Sequence, residues 1–229
     1  MNRPDGPHHR GANRARALFH TRPMGDLAVT LPAAELESRR RGVVDLPWTW
    51  LTQVHGAEVV TVTRPGEHAG ARADAAVTAV PGVAVSVTTA DCVPVVLFGR
   101  DERTVGVVHA GWRGLHAGVV GAAVQAMAAL GDPPATALLG ASICPRCYEF
   151  GRDDLDLVAA RWGDEVRATT ADGRPALDVA AGVRRALAEA GVTTIVPGEH
   201  CTAERADLYW SHRARAETGR FATVAWLEP

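Results

Sequence analysis

Between Ala75 and Ala110 four valine-rich segments follow one another with little room between them: AAVTAV (75–80), VAVSVT (83–88), VPVVLF (93–98) and TVGVVHA (104–110). Pro, Gly or Asp bounds them, as strands are commonly bounded. Several are apolar at odd and even positions alike, which points to strands buried in the middle of a layered structure. VVTV (59–62), ATALLGAS (135–142), VTTIV (192–196) and FATVAWL (221–227) read as further strands. LHAGVVGAAVQAMAAL (115–130) has apolar residues at helical spacing and stops at Gly131, ahead of Pro133 and Pro134. DDLDLVAARW (153–162) and DVAAGVRRALAEA (178–190) read as amphipathic helices, the second closed by Gly191. Strands and helices mix without strict alternation. The fold class is therefore α+β (mixed α/β): a single domain of layered β-sheets flanked by helices over residues 21–229. Residues 1–20 are polar and arginine-rich, and are expected to be disordered or loosely attached.

Composition removes several chemistries. All 24 cationic side chains are arginine, with no lysine. A lysine Schiff base and a Walker A phosphate loop are thereby excluded. A net charge of -2 offers no excess to neutralise phosphates, so no nucleic-acid partner is expected. No stretch approaches the ~20 apolar residues of a membrane span, so no membrane partner is expected either. The opening MNRPDGPHHRGANRARALF lacks the apolar run of a signal-peptide core. Four cysteines are too sparse for a disulfide scaffold, which leaves a cytoplasmic protein with reduced thiols. A monomer or weak oligomer is the expectation for assembly.

Three short segments put unusual residues at strand ends: Thr52-Gln53-Val54-His55-Gly56, Thr89-Ala90-Asp91-Cys92-Val93-Pro94 and His109-Ala110-Gly111-Trp112-Arg113-Gly114. Two imidazoles and one thiolate suit zinc. Three protein ligands leave a fourth position open, the pattern of a catalytic site. Gly111 and Gly114 around Arg113 permit close backbone approach and a guanidinium at a helix entrance, an arrangement suited to an anion. Cys144-Pro145-Arg146-Cys147 competes for the metal. Its C-x-x-C spacing fits a zinc knuckle, with His200-Cys201 supplying further ligands, or a redox motif at a helix start. Other enzyme classes fail on residues. His55-Gly56-Ala57-Glu58 is not H-x-E, and Ile143 rather than proline precedes Cys144, against a zinc deaminase. No H-x-H pair exists for a copper cluster, and no G-x-S-x-G elbow for a hydrolase.

Taken together, TQVHG, TADCVPVVL and VHAGWRGL resemble the YfiH/PgeF family, also called the laccase-domain or polyphenol oxidase family. Asp74-Ala75-Ala76-Val77-Thr78, Cys144 to Glu149, Cys201-Thr202, Ser211-His212-Arg213 and Thr218-Gly219-Arg220 are similar to further motifs of that family. Departures are a short segment from Phe19 to Trp50, Ala141 in place of a common proline, and Ala214 in place of a common arginine. The resemblance implies a Zn2+ ion held by His55, Cys92 and His109, with copper as the lesser alternative. It also implies phosphorolysis of adenosine, inosine or guanosine, with adenosine deamination alongside. The partners are then a purine nucleoside and phosphate. Catalysis falls to His55, Cys92, His109 and Arg113, the last as an anion clamp. Gln53, Asp74, Asp91 and Arg213 are the substrate-binding candidates: Gln53 to position base or water, Asp74 or Asp91 to orient a ligand histidine or bond a ribose hydroxyl, Arg213 as a second clamp. Two alternatives stand beside this. One is a zinc amidase-type peptidoglycan editing factor removing L-serine from a muramoyl precursor. The other is a non-catalytic zinc-stabilised binding protein whose site is closed by Cys144 or Cys147.

Overall fold

The valine-rich segments become the inner strands of two sheets laid face to face in a computed structural model, which describes residues 8–10 and 14–229. One sheet has six strands in the order β14 (Thr194–Val196), β11 (Pro134–Leu139), β9 (Val93–Gly99), β10 (Val105–Ala110), β7 (Ala75–Thr78) and β5 (Val59–Val62). Its neighbours are antiparallel except for the parallel pairs at the two edges. The other sheet runs β1 (His8–Arg10), β2 (Ala15–Phe19), β15 (Phe221–Leu227), β8 (Ala84–Thr89) and β3 (Trp48–Thr49). Two small pairs, β4 (Leu51–Thr52) with β6 (Ala71–Arg72) and β12 (Arg167–Thr169) with β13 (Pro175–Leu177), complete the strands described.

Strand pleating explains why the central segments are apolar throughout. On β9, Val93, Val95 and Leu97 join the core under the helices, whereas Val96 and Phe98 join the core between the sheets. On β10, Val108 and Ala110 take the helix side, and Val105 and Val107 the sheet side. Helices α2 (Trp112–Ala117), α3 (Val119–Ala129), α4 (Arg152–Trp162) and α5 (Val179–Glu189) supply the partners on the first side. Leu97, Leu115 and Leu187 are fully buried there, each such side chain contributing roughly 1.5–3 kcal/mol of burial free energy. Helix α1 (Ala33–Val43) lies against the outer face of the five-stranded sheet, with Leu36 packed in a cluster with Trp48 and Val224. Its other buried residue is Arg40, whose guanidinium stands 4.7 Å from the Trp50 ring and 5.9 Å from Trp48.

Two local expectations change. The run 115–130 is not one helix: Gly118, at φ 96°, closes α2 and opens α3, its N–H reaching back to the carbonyls of Gly114 and Leu115. Ala15–Phe19, expected within a loosely attached segment, is strand β2, paired with β15 and β1. Ala15, Ala17 and Phe19 enter the core between the sheets, while the Arg16 guanidinium forms a two-pronged pair with Glu228. Residues 1–7 and 11–13 of that expected segment lie outside the described residues. Among the described residues, no helix is long and apolar enough to cross a membrane.

Candidate metal centre and active site

Strand register brings the three motifs to one end of the six-stranded sheet. Ala110 pairs with Val93, so the residues just beyond them, Gly111 and Cys92, meet. Val108 pairs with Ala75, and Val59 with Ala75, so Asp74 and the loop ahead of β5 arrive at the same end. That loop carries His55, held at φ 59° in the left-handed region.

The donor atoms of His55, Cys92 and His109 all lie within 4.8 Å of one another. Cys92 Sγ is 3.9 Å from His55 Nε2, and the two imidazole rings meet edge to face at 4.8 Å. Asp74 organises this group from behind. Fully buried, it accepts the Nδ1–H of His109 at 2.8 Å, which leaves Nε2 free to face the other donors. The same carboxylate accepts the N–H groups of Val54, His55 and Gly56 at 2.8–3.1 Å, so one side chain shapes the loop that presents His55. Burial works to raise the Asp74 carboxyl, but the His109 imidazole and the N–H groups of Gly56 and Val54 hold it below the usual carboxylate range. Burial also works against the charged forms of Cys92 and His109. Against it, His109 and His55 bring the Cys92 thiol down to about 6, and Cys92 with Asp74 lifts His109 to about 9.

Gly111 is required by close approach. A Cβ there would stand 2.8 Å from His55 Cδ2 and 3.0 Å from Cys92 Sγ. At Gly114 it would stand 3.0 Å from the Gly56 carbonyl oxygen. The two glycines thus admit the histidine loop and the cysteine, where the sequence pointed to an anion.

These donors open onto a cavity of about 530 Å³. Gln53, Asp91, Arg113 and Arg213 line it with them, and so do Trp112, Tyr148, His212 and Arg220. Arg113 stacks on Trp112 at 4.2 Å and Arg213 on Tyr148 at 4.9 Å. Neither guanidinium pairs with a carboxylate among the described residues, whereas that of Arg220 is consumed by the carbonyls of Glu217, Thr218 and Gly219. A family model described as multi-copper polyphenol oxidoreductase laccase matches residues 29–228, the stretch that builds this cavity. The chain belongs to that family. The purine nucleoside phosphorylase SCO2081 of Streptomyces coelicolor is 44% identical over 197 residues, which is 85% of this chain and 81% of that protein. The purine nucleoside phosphorylase YfiH of Shigella flexneri is 39% identical, covering 78% of this chain and 73% of its own. The Neisseria meningitidis protein NMB0706 superposes with a TM-score of 0.83 at 27% identity, over 97% of this chain and 99% of that one. The YfiH family resemblance drawn from the motifs is therefore met by a relative named YfiH.

Within this laccase-like family fold, several assigned roles shift. The Gln53 amide spans to Thr88, donating to the carbonyl and accepting the N–H, both at 2.8 Å, while the residue lines the cavity. Asp91, at φ 96°, orients no histidine. It accepts from Thr202 Oγ1 at 2.6 Å and from the Arg213 N–H at 2.7 Å, tying down helix α6 (His212–Arg215). The histidine-orienting task belongs to Asp74. Cys144 and Cys147 stay apart from the trio and gather with Cys201 and Glu204 instead. His200 is not among these donors and its ring faces Tyr209. The C-x-x-C closes a 3₁₀ turn, Pro145–Cys147, rather than opening an α-helix as the redox reading required. Tyr148, Trp112 and His212 went unassigned as site residues because nothing in their local spacing distinguishes a cavity wall from a packed aromatic. The one available signal was adjacency, Trp112 beside Arg113 and Tyr148 beside Cys147.

Proposed function

We propose that this chain is a metal-dependent purine nucleoside phosphorylase acting on adenosine, inosine and guanosine, with adenosine deamination at the same site. The carrying observation is the cavity itself: a His₂Cys donor group, two aromatic rings and two guanidiniums, which have no carboxylate partner among the described residues, line one space. The relatives named purine nucleoside phosphorylase support the same reading.

The donors fit zinc. Two imidazoles and a thiol already drawn toward its thiolate suit a borderline-soft dication, and among the described residues the trio has no fourth protein donor within reach. His₂Cys also occurs in copper electron-transfer sites with a distant methionine. Among the described residues no methionine lines this cavity, and that favours zinc over copper. Bound by these three residues, zinc would supply Lewis acidity. Asp74 keeps His109 in the tautomer that presents Nε2. Phosphorolysis joins a phosphate oxygen to the anomeric carbon and releases the purine. Arg113 and Arg213 would hold the phosphate through forked N–H donors, and the faces of Trp112 and Tyr148 suit a purine.

Zinc-loaded protein should release free base from inosine only when phosphate is present, and ammonia from adenosine. Absence of both at high enzyme concentration overturns the proposal. The same protein incubated with a serine-bearing muramoyl nucleotide provides the competing arm: free serine there, without base from inosine, assigns the site to amide cleavage.

A further inference from the structure

Outside the cavity just described, three of the four cysteines converge with one carboxylate. The donor atoms of Cys144, Cys147, Cys201 and Glu204 lie within 4.8 Å of one another. Glu204 Oε1 is 3.7 Å from Cys144 Sγ and 3.9 Å from Cys147 Sγ. A tetrahedral zinc with Zn–S of ~2.3 Å and Zn–O of ~2.1 Å sets ligand–ligand edges of roughly 3.5–3.8 Å, so little movement closes the cage. We propose that these four residues bind a second zinc ion, in a closed structural site of three sulfurs and one carboxylate.

The backbone is arranged for it. The 3₁₀ turn Pro145–Cys147, closed by the Cys147 N–H on the Cys144 carbonyl at 3.0 Å, turns both sulfurs of the C-x-x-C to one side. The Cys144 N–H donates to Cys201 Sγ at 3.2 Å, which holds the third sulfur beside the C-x-x-C. Cys201 is held in place by its bridge to Ser142, with the Ser142 N–H on the His200 carbonyl and the Thr202 N–H on the Ser142 carbonyl. Charge is balanced as well. Three thiolates and a carboxylate exceed a dication, and Arg146 reduces the excess by donating to both Glu204 oxygens at 2.7 and 3.0 Å.

Four protein donors leave no position for substrate, which makes the role structural. The site pins one segment that builds the cavity wall and a second that braces a wall residue. Cys147 adjoins Tyr148. Cys201 adjoins Thr202, whose hydroxyl bonds Asp91 next to Cys92. A metal here would brace the aromatic wall against the trio while remaining separate from it.

The test is zinc content and cobalt spectroscopy on the full chain, reconstituted with Zn2+ or Co2+ under reducing conditions and desalted. Wild type should hold two zinc ions per chain, His109→Ala and Cys147→Ser one each, and the double variant none. Should Cys147→Ser fail to fold, the wild-type cobalt form still decides. Its thiolate-to-cobalt absorption should be about fourfold that of a one-thiolate site, from three sulfurs here and one at Cys92. One zinc per chain lost entirely in His109→Ala, or a cobalt band of one-thiolate intensity, overturns the proposal. So does a disulfide among Cys144, Cys147 and Cys201 in the reduced preparation.

Discussion

Asp74 is the residue on which the geometry of the His₂Cys donor group turns, because one buried carboxylate both fixes the His109 tautomer and folds the loop carrying His55. Replacing it with asparagine keeps the volume but loses the charge and puts an amide N–H₂ where an acceptor is needed. Asp74→Asn should lower zinc affinity at the trio by about 10–100-fold, read by chelator competition. The acid–base state of the donors sets a second expectation. In metal-free protein His109 is protonated up to about pH 9, while Cys92 is largely thiolate above about 6. Zinc needs the neutral imidazole, so binding to the trio at pH 7.5 should expel about one proton. Calorimetry of that site alone, in a Cys147→Ser background and in buffers of different ionisation enthalpy, measures it; a heat independent of buffer contradicts the pairing. At Arg113 the expectation concerns shape. Lysine keeps the charge but lacks the planar fork, so Arg113→Lys should raise the KM for phosphate about tenfold or more. An unchanged phosphate dependence would remove Arg113 from the anion site.

At the scale of elements, β2 is the piece whose composition concealed its role. Arginines at 14 and 16 gave the segment a polar average, while the alternate residues Ala15, Ala17 and Phe19 pack between the sheets. Phe19 is 8% exposed, and its ring lies where a side chain on Gly140 would otherwise go. Phe19→Ala should cost about 3–5 kcal/mol in urea unfolding, as loss of a buried aromatic does. A cost below about 1 kcal/mol would mean β2 is dispensable after all. Strands β7 to β10 were legible because each carries enough valine to declare itself without a partner. Helix α1 was not legible: only Leu36 and Arg40 are buried, and the second is a charge that needs two tryptophans from elsewhere to be accommodated. The break at Gly118 was equally silent, since a glycine within an alanine-rich run reads as helix until its φ is known.

For the molecule as a whole, His20 ties stability to pH. It is fully buried, and burial lowers its pKa from the ordinary 6.5 to about 4. The folded ring therefore stays neutral while the unfolded chain takes up a proton below 6.5. The contribution is complete above pH 6.5 and is lost as pH falls toward 4, by up to roughly 3 kcal/mol. Urea midpoints across that range should fall more steeply for wild type than for His20→Leu, and equal slopes would refute it. By itself the sequence determined the layered α+β class and marked His55, Cys92 and His109 as candidate donors within three motifs, because apolar strands and the His and Cys types carry their chemistry locally. It left undecided which aspartate serves a histidine, what Gln53 touches, and which donors keep company with Cys144 and Cys147. Only the tertiary structure decided these, since each depends on strand register: Val108 against Ala75 delivers Asp74 to His109, and Ser142 beside Cys201 delivers a third sulfur to the C-x-x-C. Pairings between residues 35 to 57 positions apart leave no trace in local spacing.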